Sequence, residues 1–179
     1  MPMSEPVAKS DLRQIPLTAM FAALGVVLPP VFHIFGLGVT FLPMFLPVMM
    51  GSMLVSWRYA MVLAIICPLT SWLITGMPPL VPPLLPIVMS ELILTALIIS
   101  ILRVHLNRPV WLALITAIIV DRLFLYFLVT LLAGWFHLEP MVFSIAMVAA
   151  GIPGIILQLL VIPLALKLLQ QKFPNLVKE

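Results

Sequence analysis

Apolar residues run along this chain in six long blocks, interrupted by short polar or proline-rich breaks. The blocks are Ile15–Phe35, Thr40–Val55, Tyr59–Thr75, Leu84–Leu102, Val110–Gly134 and Met141–Leu166. A helix of about 20 residues crosses the hydrocarbon core of a bilayer, so blocks of this length predict membrane-spanning helices. The pattern predicts an all-α membrane protein with a six-helix membrane domain over residues 15–170. A cytoplasmic N-terminal segment (1–14) and a cytoplasmic tail (171–179) flank it, and no length remains for a soluble domain. The first block is too long for the apolar core of a cleaved signal peptide, and no small-residue cleavage site ends it.

The breaks are rich in proline, of which the chain has 18. Pro29-Pro30 is expected to break or bend the first span, leaving Val31–Val39 as an irregular outer turn. Pro43 and Pro47 bracket the start of the second span, Pro68 can kink the third, and Pro153 and Pro163 give the sixth flexibility of direction. Residues 76–86 read GMPPLVPPLLP, an uncharged stretch that favours extended polyproline geometry over helix. Irregular backbone at membrane depth survives only where it is buried in protein or lines a cavity. Two apolar proline-rich outer loops therefore read either as lids over an outward-facing pocket or as plain interfacial connectors.

Charge fixes the direction of the spans. Of the nine basic residues, Lys9, Arg13, Arg58, Arg103, Arg108, Lys167, Lys172 and Lys178 all fall on one side of a six-span topology. The opposite loops hold neither Lys nor Arg. By the positive-inside rule that side is cytoplasmic, which puts both termini inside. Composition agrees: the chain is 64% hydrophobic and 8% charged, and its mean hydropathy is +1.28. A soluble domain of this size could not cover so much apolar surface. The net charge of +3 is accounted for by topology, so nucleic-acid binding is not implied. A single cysteine, Cys67 within the third span, argues against disulfides and cysteine-ligated metal.

Three ionisable residues interrupt the spans: Glu91, Asp121 and Arg122. Each is costly in hydrocarbon unless paired or hydrated, so each marks a candidate substrate-binding site. Asp121 and Arg122 are neighbours whose side chains leave a helix about 100° apart, which predicts that they do not face one another squarely. Glu91 is a plausible partner for Arg122. The same charges can instead form a buried network that only fixes helix packing. His33 in the first outer turn and Trp135 at the outer end of the fifth span are further candidates. Trp57 and Trp111 suit an aromatic belt at the inner interface. Ala19 and Ala23, four residues apart at the start of the first span, present small side chains on one face that another helix can approach closely.

Several chemistries lack their signatures. The chain has no G-x-x-x-x-G-K-[ST], H-E-x-x-H or G-x-S-x-G. His33, His105 and His137 are too scattered for a metal site. No cofactor, metal or catalytic residue is expected, and no internal repeat of the kind common in secondary transporters is evident.

Taken together, the six short spans, the A-x-x-x-A face of the first helix and the two inward termini resemble the substrate-binding S component of energy-coupling factor (ECF) vitamin transporters. The segment Phe41-Leu-Pro-Met-Phe-Leu-Pro-Val48 followed by Gly51 resembles the family's second-helix pattern, although Phe45 stands where many relatives carry histidine. The stretch from Pro68 through Thr75-Gly-Met-Pro-Pro79 to Glu91 is the closest match. The resemblance implies a multi-pass protein of a prokaryotic cell membrane that binds one vitamin or precursor near the outer face. It also implies docking on a membrane T component coupled to two cytoplasmic ATPases, and assigns Ala19 and Ala23 to that contact. Pantothenate, niacin, pyridoxine and a benzimidazole-type riboside are candidate ligands. The residues also leave open an intramembrane enzyme of lipid metabolism, an ion-coupled secondary transporter and a scaffold subunit without a ligand.

Overall fold

The computed structural model describes residues 6–36, 41–80, 84–135 and 149–172. Its helices are α1 (Pro6–Ile34), α2 (Phe45–Ser52), α3 (Trp57–Thr75), α4 (Leu84–Ser100), α5 (Val110–Trp135) and α6 (Ile152–Lys172). A π-helical turn, Ile101–His105, prolongs α4. Among the described residues, five stretches are long and apolar enough to cross a membrane: Arg13–Ile34, Trp57–Thr75, Leu84–His105, Val110–Leu132 and Ile152–Lys172. Residues 37–40, 81–83, 136–148 and 173–179, which carry parts of the expected loops, the start of the second span, part of the sixth span and the tail, lie outside the described residues.

The second apolar block departs from expectation. Among its described residues the continuous helix α2 covers Phe45–Ser52; it reaches about 12 Å and cannot cross about 30 Å of hydrocarbon by itself. Leu42 adopts a positive φ of 47° before it, and turns at Met53–Val55 follow it. This irregular backbone is tolerated because α2 is enclosed by protein. It packs against α1, α3, α4 and α6, and Phe45, Pro47, Val48, Met49, Gly51 and Ser52 are all buried.

The expected break at Pro29-Pro30 is also absent, for α1 continues to Ile34 with both prolines inside it. Proline fixes φ near the helical value. Its cost here is the two lost bonds to the carbonyls of Gly25 and Val26, within two turns of the helix end. At the end of α3, by contrast, the chain does turn out of the helix. Gly76 takes the left-handed conformation (φ 70°) and its N–H closes the last turn on the Trp72 carbonyl at 2.8 Å.

Two glycines set how closely the helices approach. A Cβ on Gly25 would lie 2.5 Å from Cys67 Sγ, and one on Gly51 would lie 2.7 Å from Leu63 Cδ2 and 3.0 Å from Phe21 Cγ. So α1, α2 and α3 meet almost backbone to side chain. Around this seam Phe21, Val48, Met49, Leu63, Leu92, Ile99, Leu114 and Ile162 form one buried cluster.

The end of the bundle that carries Arg13, Arg58, Arg103 and Arg108 is braced through the turn after α2. The Ser56 N–H donates to Gln14 Oε1 at 2.7 Å, and Ser100 Oγ donates to the Val55 carbonyl at 2.8 Å. These bonds bring the starts of α1 and α3 to the end of α4. Trp57 and Trp111 are exposed near this end, and the Arg58 guanidinium lies 5.5 Å from the Trp57 ring centroid.

Candidate functional site

At the opposite end the helices splay around a cavity of about 530 Å³. Pro29 and His33 enter it from the last turns of α1, Leu42–Phe45 from the start of α2, and Ser71 from α3. Met77, Pro78 and Pro79 of the proline-rich segment form part of the wall. Leu84, Ile87, Val88 and Glu91 come from the first turns of α4, Arg122 and Leu125 from α5, and Ala150 and Gly151 from just before α6. Among the described residues the lining is apolar but for His33, Ser71, Glu91 and Arg122. An apolar cavity with a few convergent polar groups is the usual form of a small-molecule site.

The intramembrane charges meet at this wall. Arg122 Nη2 donates to Glu91 Oε1 at 3.2 Å, joining α5 to α4. Arg122 Nε donates to Asp121 Oδ2 at 2.9 Å, and Nη2 is paired with the same oxygen. The expectation that Asp121 and Arg122 would not face one another is therefore corrected. The 100° offset holds where the side chains leave the helix, but the long arginine stem curls back over it. Glu91 and Asp121 are 4% and 3% exposed, and the Arg122 side chain is 13% exposed. Glu91 and Arg122 line the cavity while Asp121 stands behind them, its Oδ1 buried without a hydrogen-bond partner.

His33 is exposed on α1 and stands in the cavity wall. Trp135 is the last residue of α5, and its side chain lies outside the described residues. Sequence reasoning missed Ser71. It is 1% exposed, lines the cavity, and its Oγ has no hydrogen-bond partner. A serine in an apolar helix normally donates to the carbonyl four residues back, as Ser52 does to Val48 at 2.7 Å. No signal in the linear sequence separates the two cases.

Residues 13–166 match the family described as ECF transporter, substrate-specific component. The chain belongs to that family. It is thus a membrane transport component rather than an enzyme. Comparison with curated proteins and with solved structures gives no match. In this substrate-specific component Ala19 and Ala23 are exposed on α1, on the side away from buried Thr18, Phe21 and Gly25. Ile15 and Val27 continue that face at four-residue spacing, 54% and 60% exposed.

Proposed function

We propose that the chain captures a small water-soluble vitamin or precursor in the cavity and delivers it through a membrane T component driven by two cytoplasmic ATPases. The observation that carries this reading is the apolar cavity into which Ser71, Glu91 and Arg122 converge. Pantothenate, niacin, pyridoxine and benzimidazole-type ribosides all fall within its size. Glu91, Arg122 and His33 are proposed to contact the ligand, with Asp121 positioning Arg122 and Trp135 near the mouth. The segment from Gly76 to Pro79 serves as a lid. Purified alone, the chain is expected to bind one such compound with nanomolar-range affinity, because a preformed apolar cavity buries most of a small ligand. Native mass spectrometry of the purified chain and quenching of its tryptophan fluorescence across a vitamin panel measure this. Absence of saturable binding would sink the reading in favour of a ligand-free scaffold.

The cavity lies at the end of the bundle remote from the arginine-bearing turns, which supports an outward-facing site and cytoplasmic termini. In a background with Cys67 replaced by alanine, a cysteine at Met77 is expected to react with an impermeant thiol reagent in intact cells. A cysteine at Leu106 should react only after permeabilisation. Labelling of the Leu106 position in intact cells would reverse the orientation. Docking is assigned to the Ala19 and Ala23 face of α1, where small side chains permit close approach by a helix of the T component.

A further inference from the structure

We infer that the cavity selects a ligand presenting a protonated or N–H-bearing nitrogen to Glu91, and turns away carboxylates and phosphates. This rests on the cavity being the ligand site, and it narrows the class of compound that site admits.

Arg122 is the feature that would ordinarily suggest an anionic ligand, since a planar guanidinium pairs well with carboxylate and phosphate. Here Nε and Nη2 are engaged by carboxylates, and of the three guanidinium nitrogens only Nη1 has no partner among the described residues. Nε and Nη2 both serve Asp121 Oδ2, and Nη2 also serves Glu91 Oε1. Two carboxylates therefore surround one guanidinium. With both ionised the cluster carries one net negative charge, and with one protonated it is neutral. In neither state is it a net cation. An incoming carboxylate would meet one or two buried like charges at short range for one attraction that is already shared, in a setting of low dielectric. Among the described lining residues no lysine offsets this, and His33 is the one other ionisable group.

The remaining capacity of the site is for donors. Among the described residues Glu91 accepts through Oε1 only, which leaves Oε2 for a group in the cavity. Ser71 Oγ, buried on the wall contributed by α3, has no partner in the protein. A buried hydroxyl left unpaired costs stability, a cost that turning toward a ligand in the cavity would relieve, since it can donate or accept. A carboxylate and a hydroxyl on neighbouring helices, set in a largely apolar wall, suit a small ring bearing a basic nitrogen or an exocyclic amine.

The test uses the intact purified chain and needs no variant for its first arm. Nicotinate, nicotinamide and 3-(aminomethyl)pyridine share one ring and carry negative, zero and positive charge near neutral pH. Pantothenate, pyridoxine and pyridoxamine extend the series in size. Isothermal titration is expected to rank a neutral or cationic nitrogen compound first, with both carboxylates at least about 100-fold weaker. For that best binder Glu91→Gln should weaken affinity about 100-fold, and Ser71→Ala about tenfold. If a carboxylate binds tightest, and Arg122→Gln abolishes its binding, the charge selection is overturned while the cavity stands as the ligand site. If Glu91→Gln retains a cooperative thermal transition and full affinity, the assignment to Glu91 is overturned. If no probe binds, the reading of the cavity as a ligand site fails, and the selection fails with it.

Discussion

Placing tryptophan at both Ala19 and Ala23 is expected to reduce uptake to background while leaving ligand affinity within about threefold of the parent. The two alanines sit on an exposed face of α1, outside the buried cluster that includes Phe21 and Val48 and outside the cavity wall. Bulk added there does not disturb the interior. It does hold a neighbouring helix several ångströms away, and association of helices in lipid depends on close van der Waals approach. Uptake in whole cells, co-purification of the T component and ATPases, and ligand titration of the isolated chain separate the two effects. Loss of ligand binding alongside uptake would show that this face supports the fold, and parental uptake would remove the docking assignment.

Replacing Arg122 with methionine is expected to be the most damaging single change to stability. Methionine keeps the apolar stem but leaves Glu91 and Asp121, both under 5% exposed, without their shared counter-charge. Breaking a buried ion pair from one side costs on the order of 3–5 kcal/mol, and hydrocarbon surroundings give the stranded carboxylates little relief. The triple variant Arg122→Met/Glu91→Gln/Asp121→Asn removes the stranded charges and is expected to recover most of the lost stability. Thermal unfolding of the detergent-solubilised chain, followed by circular dichroism, measures all three forms. A single variant as stable as the parent would mean that Arg122 is bound by neither carboxylate in the membrane.

The sequence disclosed most of this arrangement where charge or length carried the information. Charged residues in hydrocarbon need partners, so the pairing of Glu91 with Arg122 across helices is legible in the sequence alone. At Thr40–Val55 the described helix is shorter than the apolar block for a physical reason. A segment enclosed by other helices is as apolar as one enclosed by lipid, and composition does not distinguish the two surroundings. Short α2 and a full span therefore look alike in sequence. Ser71 was invisible because nothing in the linear sequence shows that its hydroxyl is buried without a partner beside the cavity. The Arg122–Asp121 contact was missed because helical geometry constrains where a side chain starts and not where a three-carbon stem ends.

The enclosure of α2 has a consequence for biogenesis. A helix too short to cross the bilayer cannot be released into lipid as a finished unit, because the turns on either side of it would strand backbone groups there. The Val55 carbonyl is held by Ser100, 45 residues further along the chain. At 5–20 residues per second that partner emerges roughly 2–9 s later. Through that interval the segment must stay beside the insertion machinery or at the wet interface. The membrane domain is thus completed by backfilling, with its central helix committed only after the helices around it have arrived.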